Sequence, residues 1–96
     1  MITVTRPAEL ADKTRAYKVL LDGTQIGDIR QGESKPFEVP QGAHTLQLKV
    51  DWCTSKPLHF DLTDEPLTFE CGSNAGKSAL AAFFKSKDYI WLRQVD

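Results

Sequence analysis

The sequence predicts an all-β protein, an antiparallel β-sandwich of about seven short strands with a short C-terminal helix. Apolar and polar residues alternate with a period of two in several short segments, as they do in half-buried strands. Glycine, proline and aspartate separate these segments roughly every 8–12 residues, which is the spacing of turns in all-β folds. One face of the longest segment is polar, and this favours an antiparallel sheet with one side in water over a buried parallel sheet.

The length and charge of the chain limit its domain organisation and its partners. Its 96 residues suffice for one domain but not for two, so we expect a single β-sandwich domain over residues 1–96. The hydrophobic share of 41% and the charged share of 26% are near globular averages. The formal net charge is −1, without the concentrated basic face that binds phosphate backbones, so we expect no nucleic-acid partner.

The N-terminus and the cysteines indicate the compartment. Residues 1–7 contain no basic segment followed by an apolar run, so they do not resemble a secretory signal. No stretch approaches the roughly 18 consecutive apolar residues of a membrane-spanning helix. We therefore expect a cytoplasmic protein whose two cysteines, Cys53 and Cys71, stay thiols and act as small buried hydrophobic residues.

The first part of the chain predicts four strands. Residues 2–5 alternate between isoleucine or valine and threonine. Residues 17–22 form the next strand, and Asp22-Gly23 turns the chain into a return strand over residues 25–30, because glycine accepts the positive φ of a hairpin turn. Residues 36–39 make a short strand at a sheet edge, where proline is tolerated.

The clearest strand follows Pro40-Gln41-Gly42, a sequence that suits a type II turn. The face predicted to point inward consists of His44, Leu46, Leu48, Val50 and Trp52. The face predicted to meet water consists of Thr45, Gln47, Lys49 and Asp51. His44 stands at the start of the strand, where we expect it to hydrogen-bond within the turn.

Two further strands precede a change of pattern. Residues 58–62 and 67–71 alternate in the same way, and their inward residues are Leu58, Phe60, Leu62, Leu67, Phe69 and Cys71. Residues 72–76 are predicted to be a flexible connector. Residues 77–87 are predicted to be a helix or an apolar appendage, because alanine and leucine favour helix there. Alternation returns in residues 89–95, which predict a last strand.

Two turn-containing segments resemble a known family. Leu21-Asp22-Gly23-x-x-Ile26-Gly27 and Val39-Pro40-x-Gly42-x-His44-Thr45-Leu46 are similar to the core signature of PEGA-type domains, which are small β-sandwich modules. The resemblance covers about residues 17–50 and consists largely of turn residues, so it bears on fold rather than on activity. It implies a non-catalytic binding or scaffold module, to which this chain adds a segment from Lys77 to Asp96.

The segment Cys71-Gly72-Ser73-Asn74-Ala75-Gly76-Lys77-Ser78 resembles a phosphate-binding loop, because it follows a predicted strand and precedes a predicted helix. Cys71 occupies the position of the first required glycine, however, and a β-sandwich offers no βαβ unit to carry such a loop. We expect a plain connector here. Nucleotide or phosphate binding through residues 72–78 is the alternative function.

No set of residues predicts a catalytic or metal site, so we expect a protein without catalytic residues, bound metal or cofactor. The candidate metal ligands lack the C-x₂-C or H-x₃-H spacing of structural zinc sites, and they are His44, His59, Cys53 and Cys71. A Cys53–His59 pair could act as nucleophile and base across a hairpin. No helix N-terminus is predicted beside Cys53 to stabilise a thiolate, and a strand end explains the residue more simply.

Aromatic residues supply the candidate binding site. We expect Trp52, Tyr89 and Trp91 to lie near one another, at one end of the sheet or on an exposed face. Tryptophan and tyrosine are enriched among residues that dominate interface energies. The alternative is that Trp52 and Trp91 fill the small core. We therefore predict a non-enzymatic binding or adaptor module whose partner is another protein.

The apolar residues of segment 77–87 are a second candidate contact surface. Leu80, Phe83 and Phe84 could anchor to a partner, or residues 79–84 could attach the protein peripherally to a membrane. A helix that covers the end of its own sandwich explains the same residues more simply. Membrane contact is the least favoured of these hypotheses.

Overall fold

The computed structural model of the chain describes residues 1–8, 15–74 and 89–95. These residues form nine β-strands in two sheets, which confirms the all-β prediction. The strands are β1 (Ile2–Thr5), β2 (Tyr17–Leu21), β3 (Thr24–Ile29), β4 (Ser34–Phe37), β5 (Gly42–Val50), β6 (Cys53–Thr54), β7 (Leu58–Leu62), β8 (Leu67–Ser73) and β9 (Ile90–Gln94). The described ranges contain no helix, and hence none that is long and apolar enough to cross a membrane. The helix predicted over residues 77–87 lies outside them.

The two sheets differ in the way their strands are ordered. The first sheet has the order β4-β1-β8-β9. In the second sheet β3, β2 and β5 are neighbours in that order, and β6 and β7 both pair with β5, along its C-terminal and N-terminal parts. Most neighbours are antiparallel, as predicted, but β1 is parallel to β8, with Ile2 opposite Leu67. Parallel neighbours need a long connection, and most of the chain separates these two strands.

The core lies between the sheets and contains the inward residues of both. β5 contributes Leu46, Leu48 and Val50, which are at most 5% exposed and confirm the predicted alternation. The other buried hydrophobic residues are Ile2, Val4, Tyr17, Val19, Ile29, Val39, Phe60, Leu62, Phe69, Cys71 and Ile90. All of them belong to one hydrophobic cluster.

Trp52 does not continue the inward row of β5. Its side chain is 80% exposed, so the prediction that it points inward is wrong. Asp51 has a φ of 52°, and the chain reverses there in a tight hairpin turn. The reversal ends the period-two alternation, and β6 returns beside β5 with Cys53 opposite Val50.

β8 is longer than predicted. Gly72 and Ser73, which were expected to begin a flexible connector, belong to the strand and pair with Trp91 and Ile90 of β9. Pairing with β9 satisfies their backbone groups and so extends the strand beyond Cys71. The predicted C-terminal strand is confirmed by β9 itself, whose Ile90 side chain is fully buried.

A buried arginine holds the end of β1 against the second sheet. Arg6 has no exposed surface, and its guanidinium lies 3.7 Å from the centre of the Tyr17 ring. Its Nη1 donates hydrogen bonds to the carbonyl oxygens of Arg15 at 2.6 Å and Ile29 at 3.3 Å. The Arg6 amide donates to the Glu33 carbonyl oxygen at 2.8 Å. The aromatic face and the carbonyl oxygens therefore stabilise a charged group next to the core.

Candidate functional site

The Asp22-Gly23 turn between β2 and β3 is docked on the start of β5. The φ angles of Asp22 and Gly23 are 52° and 83°, as a type I′ hairpin turn requires. The Asp22 carboxylate accepts a hydrogen bond from the Thr45 amide through Oδ1 at 2.8 Å. The Asp22 amide donates to the Thr45 carbonyl oxygen at 2.9 Å. These two bonds fix the turn against β5 and leave Oδ2 for a further donor.

His44 supplies that donor and binds a second acceptor. Its Nδ1 lies 2.6 Å from Asp22 Oδ2, and its Nε2 lies 2.8 Å from the carbonyl oxygen of Pro40. A carbonyl oxygen and an ionised carboxylate can only accept, so each ring nitrogen of His44 must donate. An imidazole that donates from both nitrogens carries a positive charge. The prediction that His44 hydrogen-bonds within the turn is confirmed.

The contact between His44 and Asp22 changes the pKa of both groups. The hydrogen bond to Asp22, followed by the bond to Pro40, raises the pKa of His44 above its ordinary value of 6.5, while desolvation opposes the rise. The charges of Asp22 and of Asp61 on β7 add to it. The pKa of Asp22 is lowered from 3.8, first by the hydrogen bond with His44 and next by the bond from the Thr45 amide. Each partner therefore stabilises the charged form of the other.

An open cleft of about 380 Å³ lies beside this pair, where β5 runs next to β7. We call it the histidine cleft, and its lining residues are Asp22, Ala43, His44, Thr45, His59, Phe60 and Asp61. Ala43 is opposite Asp61 across the strand pair, and its small side chain leaves room beside the carboxylate. Thr45 Oγ1 and His59 Nδ1 lie 2.8 Å apart.

The Thr45–His59 contact has the length of a nucleophile–base hydrogen bond, but this alone does not make a catalytic site. A triad also requires a third group that orients the imidazole, and donors for an oxyanion. Within the described ranges, Thr45 is the residue that hydrogen-bonds His59. The contact therefore has the character of a polar cross-strand pair, which contributes to sheet stability.

The other candidate ligands and nucleophiles are spread over the fold. Cys53 is opposite Val50 and His59 is opposite Thr45, so Cys53 and His59 lie roughly 17 Å apart along β5 and do not form a pair. Cys53 is half-buried and Cys71 is buried, and neither forms a disulfide. In the described part of the chain, no three histidine, cysteine, aspartate or glutamate residues are placed to hold a metal ion.

Two of the aromatic candidates lie beyond the other end of β5. Trp52 is in the hairpin turn that joins β5 to β6 and is 80% exposed. Tyr89 lies next to β6, since its amide donates to the Thr54 carbonyl oxygen at 3.1 Å. Ser55 and Ile90 form a parallel bridge just beyond. The two sheets are joined here, and Trp52 and Tyr89 are at the same end of the sandwich.

The third aromatic candidate, Trp91, lies on the outer face of the first sheet. It is opposite Gly72, and its indole covers that residue so closely that a Cβ on Gly72 would be 2.6 Å from Nε1. Neither tryptophan belongs to the buried core, so the alternative in which both fill it is wrong. We call the end of the fold that carries Trp52 and Tyr89 the tryptophan end; Trp91, on the sheet face, is not counted in it.

The remaining predicted site residues lie outside the described ranges. They are Leu80, Phe83 and Phe84, within the segment 79–84 that was considered for membrane attachment. Of the segment that resembles a phosphate loop, residues 72–74 are described. Gly72 and Ser73 belong to β8, and Gly72 lies under the indole of Trp91. The glycine therefore has a packing role in this fold.

The histidine cleft was not predicted as a site from the sequence. The available signals were the Asp22-Gly23 turn and His44, each recognisable as part of a turn. Their contact follows from the pairing of β2 with β5, which places Leu21 opposite Leu46. The sequence of a turn does not show which strands pair, so the cleft could not be predicted without the strand order.

No protein family model, curated protein or solved structure matches the chain. The resemblance to PEGA-type domains stays a prediction that rests on the residues of two turns. In this chain those residues form one hydrogen-bonded network, in which Asp22 and His44 contact each other and also Thr45 and Pro40.

Proposed function

We propose that this chain is a non-enzymatic binding or adaptor module that contacts another protein through the tryptophan end. The observation that carries the proposal is the exposure of Trp52, whose side chain is 80% accessible to solvent. Tryptophan is among the residue types most enriched where truncation weakens protein interfaces. An indole this exposed contributes little to the folding of the chain, so a contact with a partner gives it a role.

The turn that carries Trp52 is held in place by neighbouring groups. Asp51 forms an ion pair with Arg15, which precedes β2. A side chain on a tight, tethered turn loses less conformational entropy on binding than one on a long loop. Tyr89 lies nearby through its amide bond to Thr54 and is half-buried against the core, so it supports this end of the fold. These features favour a preorganised surface for a partner.

Other classes of partner have less support. The net charge of −1 offers no concentrated basic face to a nucleic acid. Phosphate binding through residues 72–78 is the alternative, but the Trp91 indole already accounts for a glycine at position 72. Membrane attachment through residues 79–84 depends on residues outside the described ranges. We therefore favour a protein partner, in the cytoplasm.

Quantitative affinity capture with matched variants tests the proposal. The baits are the wild-type chain, Trp52→Ala and Ile26→Ala, where Ile26 is a control because it is 36% exposed on β3, near the Asp22-Gly23 turn. We expect a partner that wild type and Ile26→Ala both recover to be depleted about tenfold with Trp52→Ala, which corresponds to about 1.4 kcal/mol. Equal recovery by all three folded baits would refute a contact through Trp52.

A ligand experiment distinguishes the phosphate alternative. Addition of ATP with Mg²⁺, or of inorganic phosphate, should leave the melting temperature of the chain unchanged under the proposal. A ligand that binds the folded state alone raises the melting temperature in proportion to its saturation. A clear rise that depends on ligand concentration would favour phosphate binding through residues 72–78.

A further inference from the structure

The connection between β4 and β5 carries the chain from the first sheet to the second. It spans residues 38–41, and its Val39 side chain is buried in the core. Among the described residues, the side chain that hydrogen-bonds this connection is His44, through Nε2 and the Pro40 carbonyl oxygen at 2.8 Å. The same imidazole contacts Asp22 through Nδ1 at 2.6 Å. His44 therefore ties the sheet-to-sheet connection to the turn between β2 and β3.

Both contacts of His44 depend on a single proton. A neutral imidazole has one N–H group and one lone pair, so it can donate to only one of its two acceptors. The bond to the Asp22 carboxylate is charge-assisted and is the stronger of the two, so the remaining proton stays on Nδ1. Nε2 would then present a lone pair to the Pro40 carbonyl oxygen, and that contact must open.

We propose that His44 is a proton-dependent latch: its charged form holds the Pro40 connection against the Asp22-Gly23 turn, and loss of the proton releases that connection. Asp22 stays docked, because its Oδ1 and its amide bond Thr45 independently of His44. Val39 stays in the core, which confines the release to residues 40–42. His44 and Asp22 line the histidine cleft, whereas the released residues 40–42 are not among its lining residues.

The groups that face His44 set the direction of the pH dependence. Asp22 on the β2–β3 turn and Asp61 on β7 favour the imidazolium, and His59 on β7 is the other titratable group that lines the cleft. Desolvation favours the neutral form, because the His44 side chain is only 13% exposed. The pKa of His44 is raised overall from 6.5. The latch is therefore closed below pH 6.5 and opens as the pH rises through the raised value.

Nuclear magnetic resonance of the wild-type chain tests the latch directly. Below pH 6.5 the imidazole nitrogen shifts of His44 should show a proton on both ring nitrogens, and above the midpoint a proton on Nδ1 alone. The amide signals of Gln41 and Gly42 should move with the same midpoint as His44, and their hydrogen exchange should accelerate beyond the general increase with pH. The Thr45 amide, which donates to Asp22, should keep its protection through the titration.

Two variants separate the latch from general effects of pH. His59→Gln removes the other of the two histidines and should leave both the His44 midpoint and the Gln41 response in place. Asp22→Asn removes the carboxylate and should lower the His44 midpoint. The proposal fails if His44 is neutral at pH 6, if the Gln41 signal does not follow its titration, or if Asp22→Asn leaves the midpoint unchanged.

Discussion

Replacement of Gly72 by alanine tests how Trp91 is held on the outer face of the first sheet. A Cβ at position 72 would lie 2.6 Å from Nε1 and 2.7 Å from Cε2 and Cζ2 of the Trp91 indole. Ordinary contacts of a Cβ begin near 3.4 Å, so the ring would have to move by about 1 Å. Gly72 is not among the glycines with a positive φ, so an alanine meets no backbone strain there. The substitution therefore isolates the steric effect.

Two opposing effects set the size of the change. Overpacking costs about 1–3 kcal/mol, whereas the lower flexibility of alanine in the unfolded chain stabilises the fold by about 0.4–1 kcal/mol. The steric cost is larger, so we expect Gly72→Ala to lower the free energy of unfolding by about 1–2 kcal/mol. Trp91→Ala removes the colliding ring, and in that background the same change at Gly72 should be neutral or slightly stabilising.

A double-mutant cycle measured by urea unfolding provides the assay. Far-ultraviolet circular dichroism reports unfolding without depending on the indole, and a constant slope against urea keeps the comparison valid. The expected coupling between Gly72 and Trp91 is about 1–3 kcal/mol. An equal loss in both backgrounds would show that the indole does not require this glycine. The packing argument would then be refuted.

Four further substitutions have defined outcomes. The lowered pKa of Asp22 gives a stabilisation that is present above pH 3.8 and is lost as the pH falls through the pKa of the folded state. Asp22→Asn should therefore make the free energy of unfolding less dependent on pH in the acid range. Urea unfolding midpoints at a series of acid pH values measure this. Leu48→Ala should lower the free energy of unfolding, measured with urea, by about 2–5 kcal/mol, because Leu48 is fully buried. Leu20→Ala on β2 should lower it by less, because Leu20 is half-buried. Trp52→Ala should change the free energy of unfolding by less than about 0.5 kcal/mol, because its side chain is exposed; a larger loss would mean that Trp52 packs within the chain.

The core strands were predictable because burial along them follows a period of two. Leu46 and Leu48 are fully buried where the alternation places them. The same pattern runs on through Trp52 in the sequence, but the positive φ of Asp51 reverses the chain first. The end of β8 at Ser73 depends on pairing with β9, and local sequence carries no information about a partner strand. Strand interiors were therefore predictable from the alternation, as were both ends of β1 and β7, whereas the C-terminal ends of β5 and β8 were not.

The turn chemistry of the site was predictable, whereas its long-range partners were not. Asp22-Gly23 signals a hairpin turn and His44 signals a turn hydrogen bond, and both are found. Their mutual contact depends on strand order, as does the contact between Thr45 and His59. Arg6 shows the same dependence on long-range contacts more strongly. A charged residue after a strand is ordinarily exposed, yet the side chain of Arg6 is buried. Burial of Arg6 depends on tertiary contacts alone.

The two candidate sites differ in how fully the fold accounts for their residues. Asp22, His44 and Pro40 are bonded to one another within the chain, so these turn residues have a structural role without any ligand. These contacts already explain why Asp22, His44 and Pro40 are present, so a resemblance in these residues is not by itself a reason to assign them a binding function.

Trp52 shows the reverse situation. Its exposure leaves it little part in folding, and the ion pair between Asp51 and Arg15 tethers its turn without involving the indole. Because the fold does not require Trp52, its substitution can change the affinity for a partner without changing the free energy of unfolding. A Trp52→Ala chain that keeps its unfolding free energy but loses its partner would place the function at the tryptophan end. A chain that keeps both would move the search to the histidine cleft.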